Sequence, residues 1–120
     1  MSVPKVFESE YRFCCVLWET EPQTPAALAA LCKERLGWSR TTTYTVIKRL
    51  GERGVLKNEN GLVRSLYSKG EIQAREIDEL VEKTFEGSLP AFLAAFTSGR
   101  RLSRQEADAL RQMIDSYTED

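Results

Sequence analysis

Between Ser39 and Arg49 the chain sets out hydroxyls, a phenol and cations in one short run. At ~100° per residue, a helix over this run carries Thr41, Thr45 and Lys48 on one face, with Thr42, Tyr44 and Arg49 flanking them. Solvated helix faces usually fill with Glu, Lys and Gln, and successive threonines cost helix propensity. Hydroxyls, a phenol and cations suit a surface that meets phosphates and base edges. An ordinary solvated face is the plain alternative.

The neighbouring residues say how such a face is held. Thr43, Val46, Ile47 and Leu50 repeat at i, i+3, i+4, i+7, the spacing of a buried stripe. Ser39 stands where an N-cap belongs, and Gly51 and Gly54 mark the end. Two β-prone runs follow, Val55 to Glu59 and Leu62 to Ser68, either side of Asn60-Gly61. That dipeptide suits a tight type I′ turn, so the runs predict a hairpin. A polar helix followed at once by a hairpin is the winged-helix order, with the helix in a DNA groove and the wing beside it. Lys48, Arg49 and Arg64 read as phosphate clamps, and Tyr44 and Thr45 as base readers. Trp38 either stacks on the DNA backbone or wedges the helix into the core.

Upstream, Met1 to Glu8 reads as a loose arm. A first helix is expected from about Ser9 to Thr20, with Tyr11, Cys14, Cys15 and Trp18 on one face and Phe13 and Leu17 widening it. Glu21-Pro22-Gln23 breaks it. Thr24-Pro25 starts a second helix, N-cap then proline, which turns Leu28, Leu31, Cys32 and Leu36 inward and stops at Gly37.

After Gly70 the character changes. Glu71 to Glu86 reads as a charged helix striped by Ile77, Leu80, Val81 and Phe85. Gly87 ends it, and Ser88 caps a short apolar helix with Leu89, Phe92, Leu93 and Phe96 in register. Ser103 to Glu106 is a capping box before a last helix carrying Ala107, Leu110, Met113, Ile114 and Tyr117. So short a helical segment buries this much apolar surface poorly alone, and a second copy would cover it. The fold class is therefore mostly α with a small β-hairpin wing. Residues 1–70 form a winged helix-turn-helix and residues 71–120 a helical dimerisation region. Leu80, Phe85, Leu89, Phe92, Leu93, Phe96, Leu110 and Ile114 are the expected homodimer contacts.

Charge follows the same division. Residues up to Lys69 carry a net +4 and those from Glu71 onward a net −5, although the whole chain is only −1. A basic front and an acidic back fit one lobe that meets double-stranded DNA and one that avoids it. The three cysteines are odd in number, with Cys14 and Cys15 adjacent, and no secretory signal precedes them, which points to a reducing cytoplasm. No run approaches the ~20 apolar residues of a membrane span, so no membrane insertion is expected. With no histidine and no Cys-x-x-Cys spacing, neither a metal nor another cofactor is expected. The commonest general base is absent and no glycine-rich phosphate loop occurs, which argues against an enzyme. Nothing beside Cys14 or Cys15 would lower a thiol pKa, which argues against an oxidant sensor.

Taken together, the chain resembles the penicillinase repressor family, the BlaI/MecI type of bacterial regulator. The likeness runs through Ser9-Glu10-Tyr11, Leu17-Trp18, the run from Gly37 to Leu50, Glu52-Arg53-Gly54, the stretch from Glu86 to Phe96, and Leu102-Ser103. It implies an N-terminal winged helix on an inverted-repeat operator, C-terminal helices that dimerise, and repression of transcription. By position it implies that Arg40, Thr41, Thr42, Tyr44 and Thr45, headed by Ser39, face DNA. Arg40 and Thr41 stand where the family often has proline and lysine, which implies a different base preference. Antibiotic-resistance repressors of the family are inactivated when a membrane sensor protease triggers cleavage in the C-terminal helices. The resemblance thus brings such a protease in as an inducer-pathway partner, although Ala95-Phe96 replaces the susceptible asparagine-phenylalanine bond. Thr118-Glu119-Asp120 stands where copper-responsive members carry a cysteine cluster. The competing reading is a winged-helix module that binds protein and no DNA.

Overall fold

A computed structural model describes residues 3–118. The elements run α1 (Glu8–Thr20), α2 (Pro25–Leu36), α3 (Arg40–Glu52), β1 (Leu56–Glu59), β2 (Leu62–Ser65), α4 (Lys69–Thr84), α5 (Leu89–Thr97) and α6 (Arg104–Tyr117). The expected fold class is the one observed: mostly helical, with one small antiparallel hairpin. The chain divides into two compact units, Met1–Glu79 and Leu80–Asp120, with the break inside α4.

The first unit is built around α1, which packs on α2, α3 and β2. Phe13 and Leu17 are fully buried, with Cys14 and Val16 beside them. The buried face is therefore centred on Phe13 and Leu17 and not on Tyr11, Cys15 and Trp18, which are half-buried. The reason lies in the polar tips: a buried phenol or indole N–H needs a partner, and partners sit at the edge of the core. Trp18 Nε1 donates to the carbonyl of Tyr67 at 2.9 Å, and Gln73 Nε2 donates to the Tyr11 hydroxyl at 3.1 Å.

Local signals set the helix ends. Thr24 Oγ1 accepts from the amide of Ala27 ahead of Pro25, and Gly37 closes α2 at φ 72° in the left-handed region. From α2, Leu28 and Cys32 are fully buried as expected, whereas Leu31 and Leu36 are half-buried and Ala29 takes a core place. Ser68 and Glu71 form a capping box, Ser68 Oγ accepting from the Glu71 amide at 3.1 Å and Glu71 Oε1 from the Ser68 amide at 3.0 Å. This starts α4 at Lys69, ahead of the expected Glu71. Glu86 (φ 52°) and Gly87 (φ 78°) both enter the left-handed region, which stops α4 at Thr84.

The hairpin pairs Leu56 with Ser65 and Glu59 with Leu62 around Asn60 (φ 55°) and Gly61 (φ 79°), the two positive φ values of the expected turn. The ladder is shorter than the runs suggested. The regular pairing ends at Ser65, where the outward amide and the hydroxyl donate to the carboxylate of Glu21 at 2.8 Å and 2.7 Å, and Leu66 N still donates to the Val55 carbonyl at 2.8 Å. Gln23 pairs with Val63 on the outer edge of β2, so the wing is tied back to the α1–α2 connection.

The N-terminal arm is not loose over its described part. Val6 is buried, Lys5 Nζ reaches Glu79 at 3.2 Å, and the Val3 carbonyl accepts from Arg75 Nε at 2.9 Å. These partners lie far along the chain, beyond any local pattern. Met1 and Ser2 lie outside the described residues.

In the second unit Ser88 caps α5, and Ser103 with Glu106 forms the expected capping box on α6. Phe85 and Phe92 meet edge to face at 5.7 Å, and Arg100 lies 4.6 Å over the Phe96 ring. Even so, no described residue from Leu80 onward is buried. Leu80, Leu89, Leu93, Phe96, Leu110, Met113, Ile114 and Tyr117 are all exposed, while Phe85 and Phe92 are half-buried. No helix among the described residues is long and apolar enough to cross a membrane.

Candidate nucleic-acid interface

Helix α3 divides as its sequence divides. Thr43, Val46, Ile47 and Leu50 are buried, and every other residue from Arg40 to Arg49 is exposed. The ridge therefore stands outward on a helix whose inner face is anchored in the core. Behind it Trp38 stacks on Phe13 with ring centroids 6.3 Å apart and planes 8° from parallel, so this tryptophan is a packing wedge.

Ser39 caps α3. Its hydroxyl accepts from the Thr42 amide at 3.1 Å and donates to Thr42 Oγ1 at 2.9 Å, leaving Thr42 with its own proton to donate. Thr43 Oγ1 turns back to the Ser39 carbonyl at 3.2 Å. Thr41, Tyr44 and Thr45 make no side-chain hydrogen bond among the described residues, and Arg40, Lys48 and Arg49 no ion pair. The first turn of α3 holds no acidic residue, so the positive end of the helix dipole and Arg40 reinforce one another.

Arg64 is exposed on β2, directly across the ladder from Lys57. Lys57 Nζ pairs with Glu59 at 2.8 Å and holds its exposed carboxyl below the usual range. Lys57 was not marked by the sequence; a strand register was needed to set it beside Arg64. A shallow groove of about 340 Å³ runs along the ridge, bordered by Tyr44, Lys48, Pro25, Gly51 and Asn58. Pro25 and Asn58 are likewise additions that only the packing of α2 and β1 against α3 reveals.

The far end of α3 is fixed by a buried carboxylate. Glu10, 6% exposed, accepts from Arg53 Nη2 at 2.6 Å and from Nη1 at 2.8 Å. Arg53 Nη2 also donates to the Lys5 carbonyl at 2.7 Å. The Arg53 hydrogen bonds hold the Glu10 carboxyl below its ordinary 4.5, against the opposing effect of burial.

Cys14 and Cys32 are buried in the core, and Cys15 is half-buried. Burial, with smaller contributions from Cys15 and Glu10, pushes the Cys14 thiol up to about 12. Burial likewise raises Cys32, with the Thr43 hydroxyl and Arg35 acting in the opposite direction. Thiols held protonated are poor nucleophiles and poor metal ligands. No metal-binding cluster occurs among the described residues.

The family model for the penicillinase repressor matches residues 7–116. The chain belongs to the penicillinase repressor family. It is similar to the methicillin resistance regulatory protein MecI of Staphylococcus aureus, at 21% identity over 115 residues, 92% of this chain and 94% of that protein. It is also similar in fold to the solution structure of the monomeric form of Bacillus licheniformis BlaI in complex with the blaP half-operator. That likeness has a TM-score of 0.51 and 18% identity, and covers 58% of this chain and 90% of the other. The expected family and winged-helix class both hold. Members of the penicillinase repressor family are transcriptional regulators and not enzymes.

Proposed function

We propose that the chain is a sequence-specific transcriptional repressor that binds double-stranded DNA as a homodimer on an inverted-repeat operator. The observation that carries this is the outward ridge of α3, on which Thr41, Tyr44, Thr45, Lys48 and Arg49 are exposed with no side-chain hydrogen bond or ion pair among the described residues. Ser39, Arg40, Thr41, Thr42, Tyr44 and Thr45 would face the major groove, while Lys48, Arg49 and Arg64 would grip phosphates. Support also comes from family membership, and from the relative whose structure is described as a complex with a half-operator. Selection of duplexes from a random pool tests this: an inverted repeat with half-sites about one helical turn apart, or a multiple of it, is the expected product. A pool that stays unenriched contradicts it.

Within that interface Tyr44→Ala and Thr45→Ala should each cost about 1–3 kcal/mol at particular base positions and relax preference there. Binding to base-substituted operators checks this. Equal losses on every sequence would move both residues from base reading to backbone contact.

The exposed apolar side chains of the second unit support dimerisation there, Leu80, Phe85, Leu89, Phe92, Leu93, Phe96, Leu110 and Ile114 being the proposed contacts. Leu93→Glu puts a charge on α5 at a site already 41% exposed, so the monomer's own stability should barely change. Self-association should weaken at least about tenfold, read by sedimentation equilibrium. Release through a membrane sensor protease would need α5 to open, because Ala95-Phe96 lies inside that helix. The place of action in this reading is the cytoplasm.

A further inference from the structure

Within the first unit a second concavity, of about 660 Å³, opens between the N-terminal arm, α1 and α4. Its walls include Lys5, Phe7, Glu8, Tyr11, Glu76 and Ile77. None of these belongs to the α3 ridge. Phe7 and Ile77 remain 56% and 45% exposed, a large apolar surface for a groove on a small domain.

One polar atom in this wall lacks a partner. Oε1 of Glu76 is buried and has no hydrogen-bond donor among the described residues. Arg75 Nη1 stands 3.7 Å away, beyond hydrogen-bond reach, and is engaged with Glu79. Lys5 Nζ approaches only the other oxygen, at 3.5 Å, and lies closer to Glu79 at 3.2 Å. A carboxylate oxygen without a donor carries an unmet desolvation cost, which a donor arriving from the groove would remove. The side chain is 42% exposed overall and lines the groove, so the carboxylate is within reach of a donor bound there.

The charge around the groove selects the donor. Glu8 and Glu76 face it against a single cation, Lys5, whose charge is already paired. The Phe7 ring is a cation surface already, with Arg53 at 5.4 Å and Lys5 at 5.8 Å from its centroid. We propose that the groove binds a small amphipathic amine. Its apolar body lies among Phe7, Tyr11 and Ile77, and its ammonium donates to Glu76. The arm that forms one wall also accepts from Arg53 at the C-terminal end of α3, so the amine acts as an effector of DNA binding. That last step rests on the DNA-binding reading; the amine site does not.

The probe is 4-phenylbutylamine, titrated into the full chain labelled with nitrogen-15, with 4-phenylbutanol and 4-phenylbutyrate as neutral and anionic counterparts. The amine should shift the amides of Phe7, Tyr11 and Ile77 saturably and bind about tenfold tighter than either counterpart. Glu76→Gln should lose about tenfold of the amine's affinity and leave the alcohol's unchanged. Ile77→Ser should weaken amine and alcohol alike. Equal binding of the three compounds, no saturable shift, or an unaffected Glu76→Gln would overturn the site. Shifts that follow protein concentration instead of amine would overturn it too, by marking a second copy as the occupant. Duplex affinity with and without saturating amine tests the effector step: a change of about threefold or more supports it, and no change overturns it. A chain that binds amine but no duplex overturns only the DNA reading and the effector step.

Discussion

Phe13→Ala should destabilise the first unit by about 3–5 kcal/mol, the range for removing a fully buried aromatic ring. Phe13 has no exposed surface, sits where α1 meets the other elements, and stacks on Trp38 immediately before α3. The loss has two parts, the transfer of the ring's apolar area and the cavity left behind. Trp38 would lose its stacking partner, so the entry to α3 should loosen along with the global fold. Urea denaturation measures the first effect and amide exchange over Ser39 to Thr43 the second. A cost below about 1 kcal/mol would mean that the site collapses to fill itself, and that Trp38 does not depend on Phe13.

Arg53→Ala should cost about 3 kcal/mol, at the low end of the ~3–5 kcal/mol for breaking a buried ion pair. The discount reflects the guanidinium, a third of whose side chain stays in water, against 8% for the Glu10 side chain. Glu10→Ala should cost less, since the cation it strands keeps its access to solvent. Arg53→Ala and the native protein also differ in their response to pH. In the native protein Arg53 depresses the Glu10 carboxyl, so the pair's contribution is present above the ordinary 4.5 and lost as pH falls through the lower folded value. Without Arg53, the largest lowering cause is gone, and burial is opposed only by the Phe7 amide at 3.0 Å and by Arg49. The Arg53→Ala protein should then lose less stability than the native protein as pH falls toward the carboxyl's range, because its Glu10 is depressed less. Thermal unfolding of both between pH 3 and pH 7 reads the slopes, and parallel slopes would show that Arg53 does not set the Glu10 charge.

How much of this was legible in the sequence depended on the range of the interaction. The α3 stripe of Thr43, Val46, Ile47 and Leu50 follows helical periodicity alone, and Asn60-Gly61 carries its turn in two residues. Caps at Thr24, Ser39, Ser88 and Ser103 are equally local. The Ser68–Glu71 box carried the same signal and was hidden under an apparent strand extending to Ser68. What the sequence withheld were pairings across the chain. Glu10 looks like an ordinary surface glutamate in the first turn of a helix, and only Arg53, 43 residues later, makes it a buried anchor. Glu21 looked like part of a helix break, yet its carboxylate accepts from Ser65, 44 residues later, and ties the outer edge of β2 to the end of α1. The arm at Val3 to Phe7 gains its order from Arg53, Arg75 and Glu79, none of them near in sequence. In the second unit the apolar register was readable, and what covers it is a question of assembly that one chain does not pose.

The central claim is that the α3 ridge meets the phosphates of a duplex. The most direct test is the salt dependence of binding to a random-sequence duplex, for the native chain and for Lys48→Ala. Counterion release predicts that log Kobs falls steeply and linearly with log salt for the native chain, and that the variant's slope is shallower by about one unit on every sequence tried. An identical slope in the variant would remove Lys48 from the interface. No binding of the native chain at either low or moderate salt would contradict the account as a whole and leave a winged-helix module that binds protein.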